Sequence, residues 1–488
     1  MASLKEFVSE TIIYGLGGVF SRVFVFFLIP LYTGFLGKTD YTNLIMLQSV
    51  FTILSFALSL TSGVFFYYYE YKNPKYKNIV LTSWFYYQIT VSTVIVILLI
   101  VFSSSLTKLF IINEFNQSSL KIAIILIGLQ LIPYSVNTTN INLYRIERKP
   151  KSSTLVVLLE ALFTFINVYI VLKVLNLGIV SVMLAQLFSR FIVSLIYFKK
   201  SIIYFKIKFF SGKLLRKIFT YTWPFIVSSI FTWLIINLDK FIGNQVLSNK
   251  EDTALLALGM QIVLPVVLLA DMVAMAFGPY VMSIKNENTS KKSYQQIYDL
   301  VIFISCVVVV LIVFASPILV MVLADITYLN VIYVVPMMAL ARIFSLAANQ
   351  FSIGFNLAKK NIYIMNAIVI SGVIAVLINY IFMGKHGFIV SGISQLISYF
   401  VMLLYLFVKS KNKINFTYRI DRSLILVFLT IVYIGFFYWC IPNILNQNYI
   451  LISIGTLLVI ILIPMIYFIQ QKINPLLIIR KIIKRDVF

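Results

Sequence analysis

Residues Leu300 to Val322 read LVIFISCVVVVLIVFASPILVMV, 23 residues without a charge. A helix rises about 1.5 Å per residue, so roughly 20 apolar residues cross the ~30 Å hydrocarbon layer of a bilayer, and this stretch is long enough to span it. The same pattern recurs on both sides. Between Thr11 and Gln471 about fourteen such segments follow one another, at 12–36, 43–69, 79–105, 119–144, 153–175, 177–198, 218–242, 254–283, 297–322, 328–355, 361–383, 387–408, 421–441 and 449–471. Lipid offers a backbone no hydrogen-bond partner, so each is expected to be a helix. The expectation is an all-α polytopic membrane protein.

Composition excludes a string of soluble domains, since 61% of the 488 residues are hydrophobic and 11% are charged. The longest breaks, Lys199 to Lys217 and Lys409 to Arg422, are basic, lack apolar periodicity and read as interfacial loops. A net charge of +24 raises the question of nucleic acid, but its distribution answers differently. When loops are assigned alternately to the two sides, 30 of the 40 lysines and arginines fall on the side of the N-terminus and 7 on the other. That asymmetry is the positive-inside bias, and it places both termini in the cytoplasm. The remaining three, Arg22, Arg190 and Arg342, lie within helices. The first apolar segment is longer than a signal-peptide core and is expected to be retained. Abundant Ile, Phe, Tyr, Asn and Lys fit an AT-rich bacterial genome; the expected location is the cytoplasmic (inner) membrane of a bacterium. Cys306 and Cys440 sit in apolar segments with no metal-binding or pairing context.

The chain repeats internally. An offset of 212 residues places Gln130 on Arg342, Asn137 on Asn349 and Asn167 on Asn379; an offset of 209 places Gln186 on Gln395, Ser189 on Ser398 and Phe191 on Phe400. Six helices per repeat is an even number, so the two halves share one orientation. The expected division is 1–200 as one six-helix bundle, 201–217 as a cytoplasmic linker, 218–408 as the second bundle, and 409–488 as two extra helices with a basic tail. Two like bundles that can rock about a site between them are a transporter device. A duplicated membrane protein without a transport role is the bland alternative.

Polar rows mark candidate sites, because a polar face at helical spacing must turn to protein or water. One row is Arg342, Ser345, Asn349, Ser352 and Asn356; its repeat mate carries Gln130, Pro133, Asn137, Asn140 and Tyr144. A third contains Gln48, Thr52, Ser55, Ser59 and Ser62, and Gln261 and Asp271 share the eighth segment. Such rows also serve close helix packing. Arg22, Arg342 and Asp271 lie near the midplane, where a charge costs about 2.5–3.5 kcal/mol without partner or water. They are expected to line a hydrated cavity, with a structural ion pair as the alternative. Glu160 and Asp239 are further candidates for ion coupling together with Asp271. Glu160 and Arg190 are either interfacial or paired with each other, and Asp239 with Lys240 reads as a local pair at the outer end of the seventh helix. Phosphate-loop and zinc spacings are missing from the sequence, so the expected drive is a proton or sodium gradient or the membrane potential, without catalytic residues, metal or other cofactor.

The stretch YGLGGVFSRVFVFFLIPLYTGFLG from Tyr14 to Gly37, NLDKFIG from Asn237 to Gly243, and the paired LGIVSVMLAQLFSR from Leu177 and HGFIVSGISQLISY from His386 resemble bacterial polysaccharide repeat-unit (Wzx-type) flippases of the multidrug/oligosaccharidyl-lipid/polysaccharide (MOP) exporter superfamily. The chain departs from that pattern at Gly34, where the family often has Arg, and at Thr42 to Leu44, where it often has Gly-x-Tyr. The resemblance implies two pseudo-symmetric six-helix bundles, as in MATE transporters, plus two C-terminal helices. It also implies translocation of an undecaprenyl-pyrophosphate-linked oligosaccharide for O-antigen, capsule or a similar polymer. Membrane lipids and a polysaccharide polymerase machinery are the implied partners, not nucleic acid. Arg22 and Arg342, from opposite halves, would then hold the pyrophosphate, with Asp271 balancing their charge and Gln130, Asn137, Asn349, Ser345, Gln48 and Gln261 meeting sugar hydroxyls. A lipid II flippase or a MATE-like multidrug exporter would share the topology. A membrane glycosyltransferase or polysaccharide polymerase is the reading from another class.

Overall fold

The computed structural model describes residues 23–24, 26–71, 73–110, 117–147, 149–175, 178–204, 206–249, 251–267, 290–358, 360–414, 418–446 and 448–470. Among them every extended regular element is helical. In chain order these are α1 (Phe26–Phe35), α2 (Lys38–Phe56), α3 (Thr61–Glu70), α4 (Pro74–Leu106), α5 (Gln117–Ile146), α6 (Pro150–Tyr169), α7 (Ile179–Ser201), α8 (Gly212–Val246) and α9 (Asp252–Ile262). There follow α10 (Ser290–Leu323), α11 (Val335–Leu357), α12 (Ile362–His386), α13 (Ile389–Ile414), α14 (Asp421–Leu445) and α15 (Ile450–Gln470).

Eleven spans among the described residues are long and apolar enough to cross a membrane, with α2 and α3 forming one of them. They become twelve when the bent pair Ile326–Tyr333 and Val335–Leu357, at 47°, is taken as one span. These correspond to twelve of the fourteen expected segments. The other two, 12–36 and 254–283, lie largely outside the described residues, where α1 and α9 are their described parts.

Sequence chemistry sets several helix ends. Pro74 and Pro150 stand in the first turns of α4 and α6, where the missing N–H breaks no bond. Asn73 caps α4 by accepting from the Lys75 amide at 2.9 Å, and Ser211 caps α8 by accepting from the Leu214 amide at 3.3 Å. Burial departs from that of a soluble protein at the surface. Val101, Phe102, Leu457 and Ile461 are exposed, whereas Asn43, Ser92, Asn140, Ser394 and Gln395 are buried among the apolar core. An apolar surface with polar side chains turned inward is what a lipid solvent selects.

The chain divides into two compact units, residues 1–257 with 322–325 and 376–388, and residues 258–321 with 326–375 and 389–488. In the first, the most extensive packing is α5 on α7, flanked by α4 and α6, while α8 lies against α2, α3 and α4. The α3–α8 crossing is close at Gly63, where a β-carbon would come within 2.8 Å of the Ile218 carbonyl and against the Thr222 hydroxyl. In the second, the most extensive packing is α11 on α13, and α14 packs on α15. Gly392 permits the α11–α13 contact, since a β-carbon there would lie 2.9 Å from that of Met337. The α5–α7 and α11–α13 pairs are the fourth with the sixth and the tenth with the twelfth expected helices, so the aligned repeats make the same pairing. α8, which follows the expected linker, packs within the first unit. The two extra helices are joined by Tyr433 and Thr456 hydroxyls at 2.8 Å, and Tyr438 donates to the Tyr333 carbonyl at 2.8 Å.

Candidate functional site

In the first unit, four polar side chains from three helices form one network. Arg190 on α7 donates from Nε to Glu160 Oε1 on α6 at 3.0 Å and from Nη1 to Gln130 Oε1 on α5 at 2.6 Å. Asn137, two turns along α5 from Gln130, donates from Nδ2 to Glu160 Oε2 at 3.2 Å and to the Arg190 carbonyl at 3.1 Å. Gln130 Nε2 in turn donates to the Met183 carbonyl at 3.2 Å. The Arg190 guanidinium stacks on the Phe51 ring at 4.0 Å, a cation–π contact from α2. Gln130 and Asn137 were expected on one face, and the spacing of seven delivers that. Of the two readings of Glu160 and Arg190, the paired one holds: the side chains are about one-fifth exposed, and both are engaged by buried amides. Beside the network the Tyr32 hydroxyl accepts from Gln186 at 3.4 Å.

The second unit holds a different arrangement at aligned positions. Arg342 on α11 is buried, donating from Nη1 to the Tyr399 hydroxyl at 3.0 Å and from Nη2 to Gln395 Oε1 at 3.3 Å, with the Met260 thioether at 3.4 Å. Its carbon centre lies 5.3 Å from the Tyr399 ring centroid. The Nε has no acceptor. Among the described residues no carboxylate lies within 4.0 Å of it. Farther along the same face, Ser345 is half-buried, Asn349 is exposed, and Ser352 donates to the Asn349 carbonyl. The expected row therefore exists, running from a buried cation to open amides.

The remaining candidates fall elsewhere. Gln48 on α2 and Gln261 on α9 are half-buried. Asp239 and Lys240 form the expected local pair near the end of α8, fully buried within the protein, with Lys240 Nζ 3.1 Å from Asp239 Oδ1 and 3.0 Å from the Ile236 carbonyl. The end of the helix just beyond them is covered by neighbouring segments: Asn244 donates to the Leu109 carbonyl, and Thr253 and Met383 close on Gly243. Arg22 and Asp271 lie outside the described residues. Cys306 and Cys440 are buried free thiols.

Sequence reading gave no weight to Arg190, Tyr399 and Gln395 as members of a site. Their signal was present in the offset of 209, which puts Arg190 on Tyr399 and Gln186 on Gln395. What the arrangement can do follows from its donors. The first unit carries a neutralised Arg–Glu pair among amides; the second carries a guanidinium held by neutral groups, with donor capacity left over.

The family described as "Polysaccharide biosynthesis protein" matches residues 46–325, more than half of the chain. The chain belongs to this family. No curated protein sequence matches it. Among solved structures, the lipid II flippase MurJ in an inward closed conformation is similar, with a TM-score of 0.69 and 19% identity over 94% of this chain and 99% of that one. A MATE family multidrug resistance transporter of the MOP superfamily, in an inward-facing conformation, gives 0.68 and 15% over 81% and 94%. A MOP superfamily transporter from Pyrococcus furiosus gives 0.59 and 14% over 84% and 96%. At these identities the likeness shows the fold alone, and with the apolar spans it describes a multi-pass membrane member of the polysaccharide biosynthesis family.

Proposed function

We propose that this polysaccharide biosynthesis protein is a flippase that carries an undecaprenyl-pyrophosphate-linked oligosaccharide from the cytoplasmic to the outer leaflet of a bacterial inner membrane by alternating access. The observation that carries the reading is the Arg342 guanidinium, buried against a phenol, an amide oxygen and a thioether with its Nε unmatched. A planar fork of donors suits phosphate oxygens, and a buried cation favours an anionic guest. In this reading Arg22 joins Arg342 on the pyrophosphate and Asp271 balances them. Gln130, Asn137, Asn349, Ser345, Gln48 and Gln261 meet sugar hydroxyls. Glu160 couples to a proton or sodium gradient by releasing Arg190, with Asp239 or Asp271 as the other acidic candidates. The termini are cytoplasmic, the chain makes no covalent bond, and a polymerase machinery consumes the delivered unit.

The test is Arg342→Ala in a strain dependent on this gene for surface polymer. Polymer should fall at least tenfold and the lipid-linked unit accumulate, with membrane levels of the protein unchanged; Arg342→Lys should be intermediate. Normal polymer from a well-expressed Arg342→Ala protein would overturn the reading. The near-complete mutual coverage with MurJ favours one second reading, lipid II as substrate. Rescue of cells depleted of their lipid II flippase would establish that reading instead.

A further inference from the structure

The start of α8 carries Lys213, Arg216, Lys217 and Thr220 at spacings i, i+3, i+4 and i+7, which is one face of a helix. The opposite face is fixed in place. Leu214 and Ile218 enter a buried cluster with Leu60, Val64, Val80, Leu81, Trp84, Leu143 and Ile146, and the Ser211 amide donates to Ser83 Oγ at 2.9 Å. With Gly63 admitting α8 against α3, the cationic face is brought beside Tyr67, and Tyr221 stacks on Phe66 with centroids 4.7 Å apart. The result is an open cavity of about 660 Å³ lined by Tyr67, Lys213, Arg216, Lys217, Thr220 and Tyr221.

Three cations within about one helical turn repel one another. Among the described residues no carboxylate lies within 4.0 Å of any of them. What would offset them is an anion with more than one charge, and a lysine–arginine set with a hydroxyl beside it matches the oxygens of a diphosphate. The cavity also has an aromatic edge. Tyr67 and Tyr221 line it, Tyr221 is exposed and stacks on the exposed Phe66 of α3, and tyrosines of this kind sit where headgroups meet acyl chains. A soluble phosphate has no use for such an edge; a phosphate carried on a lipid does.

We infer that this cavity, at the basic end of α8, is a docking site for the diphosphate head of a polyprenyl-type lipid, holding it at the membrane face before it enters the translocation path. The inference rests on the flippase reading for that sequence of events, but the docking itself is an equilibrium property separable from transport. It is distinct from Arg342, which lies in the other unit.

The full-length protein in phosphatidylcholine nanodiscs would be titrated with farnesyl diphosphate, with inorganic pyrophosphate and phosphatidylglycerol as competitors. Substituting Lys213→Gln, Arg216→Gln and Lys217→Gln together should weaken farnesyl diphosphate binding at least tenfold, whereas Lys213→Arg with Lys217→Arg should hold it within about twofold. Pyrophosphate should compete at least tenfold less well than farnesyl diphosphate. Unchanged binding by the triple variant overturns the site. Equal competition by pyrophosphate makes it a site for soluble phosphate, and equal competition by phosphatidylglycerol makes it a general anionic-lipid contact; either result rejects the proposal. The titration of the triple variant reads docking alone and the Arg342→Ala polymer assay reads transport alone, so failure of the docking site and failure of the flippase reading give different results. A weakened charge-keeping variant would assign any loss in the triple variant to packing and count against the proposal.

Discussion

Arg342 donates from Nη1 to the hydroxyl of Tyr399 at 3.0 Å. The positions aligned with these two by the repeat are Gln130 and Arg190, and they are also bonded, at 2.6 Å, with the arginine now on the other helix. The contact between the paired helices is kept in both halves while its cation has changed sides. Among the described residues only the first half gives that cation a carboxylate, Glu160. Position 372, which aligns with Glu160, is a glycine.

Tyr399→Phe removes one oxygen and keeps the ring beside the guanidinium. Leaving a buried charged donor without its acceptor costs about 1.5–3 kcal/mol. A lower denaturation midpoint for purified Tyr399→Phe is expected, with Tyr399→Ala lower still because the ring contact is lost as well. Equal midpoints for wild type and Tyr399→Phe would show that water replaces the hydroxyl.

The Arg190–Glu160 pair is about one-fifth exposed, between the surface case, near 0–1 kcal/mol, and the broken buried pair, near 3–5. A cycle of Glu160→Gln, Arg190→Gln and the double variant should give a coupling of about 1–3 kcal/mol. Additive effects would mean that Gln130 and Asn137, not the charge pair, hold the network.

Asp239→Ala strands the Lys240 ammonium inside the protein. Breaking one side of a buried pair costs about 3–5 kcal/mol, so the single variant should accumulate poorly in membranes. Replacing both, Asp239→Asn with Lys240→Met, should recover much of the loss. If the single variant accumulates normally, the pair is not buried in the membrane-embedded protein.

Gly63→Val should destabilise by about 1–3 kcal/mol, because the atom it meets is the Ile218 carbonyl of the α8 backbone, which cannot turn aside. Gly435 on α14 has nothing within 4 Å of its would-be β-carbon, so Gly435→Ala should be neutral or stabilising by about 0.5–1 kcal/mol. A reversed order of the two midpoints would contradict the α3–α8 crossing.

The spans were legible because crossing lipid requires only length and the absence of charge, both of which can be counted. The α11 row from Arg342 to Asn349 was legible for a related reason, since 3.6 residues per turn fixes which side chains share a face. The partners of those side chains were not. Whether Gln130 meets Arg190 depends on the rotation of α7 against α5, and no property of either segment alone states it. The pairing of Asp239 with Lys240 was legible from their adjacency, but their burial was not, because depth counted along one helix measures distance to its end, whereas burial depends on what packs around that end.

The two arginines meet their partners in opposite order of synthesis. Gln130 and Glu160 precede Arg190, so an oxygen-lined place is ready when α7 leaves the ribosome. Arg342 waits for Gln395 and for Tyr399, 57 residues later in the chain, which at about 5–20 residues per second is several seconds of translation. During that interval α11 must hold a bare cation against an insertion penalty of roughly 2.5–3.5 kcal/mol. A chain truncated after residue 385 should therefore insert α11 less completely than one truncated after 415, and Arg342→Leu should abolish the difference. Biogenesis of the second half then depends on a helix not yet made, a dependence from which the first half is exempt.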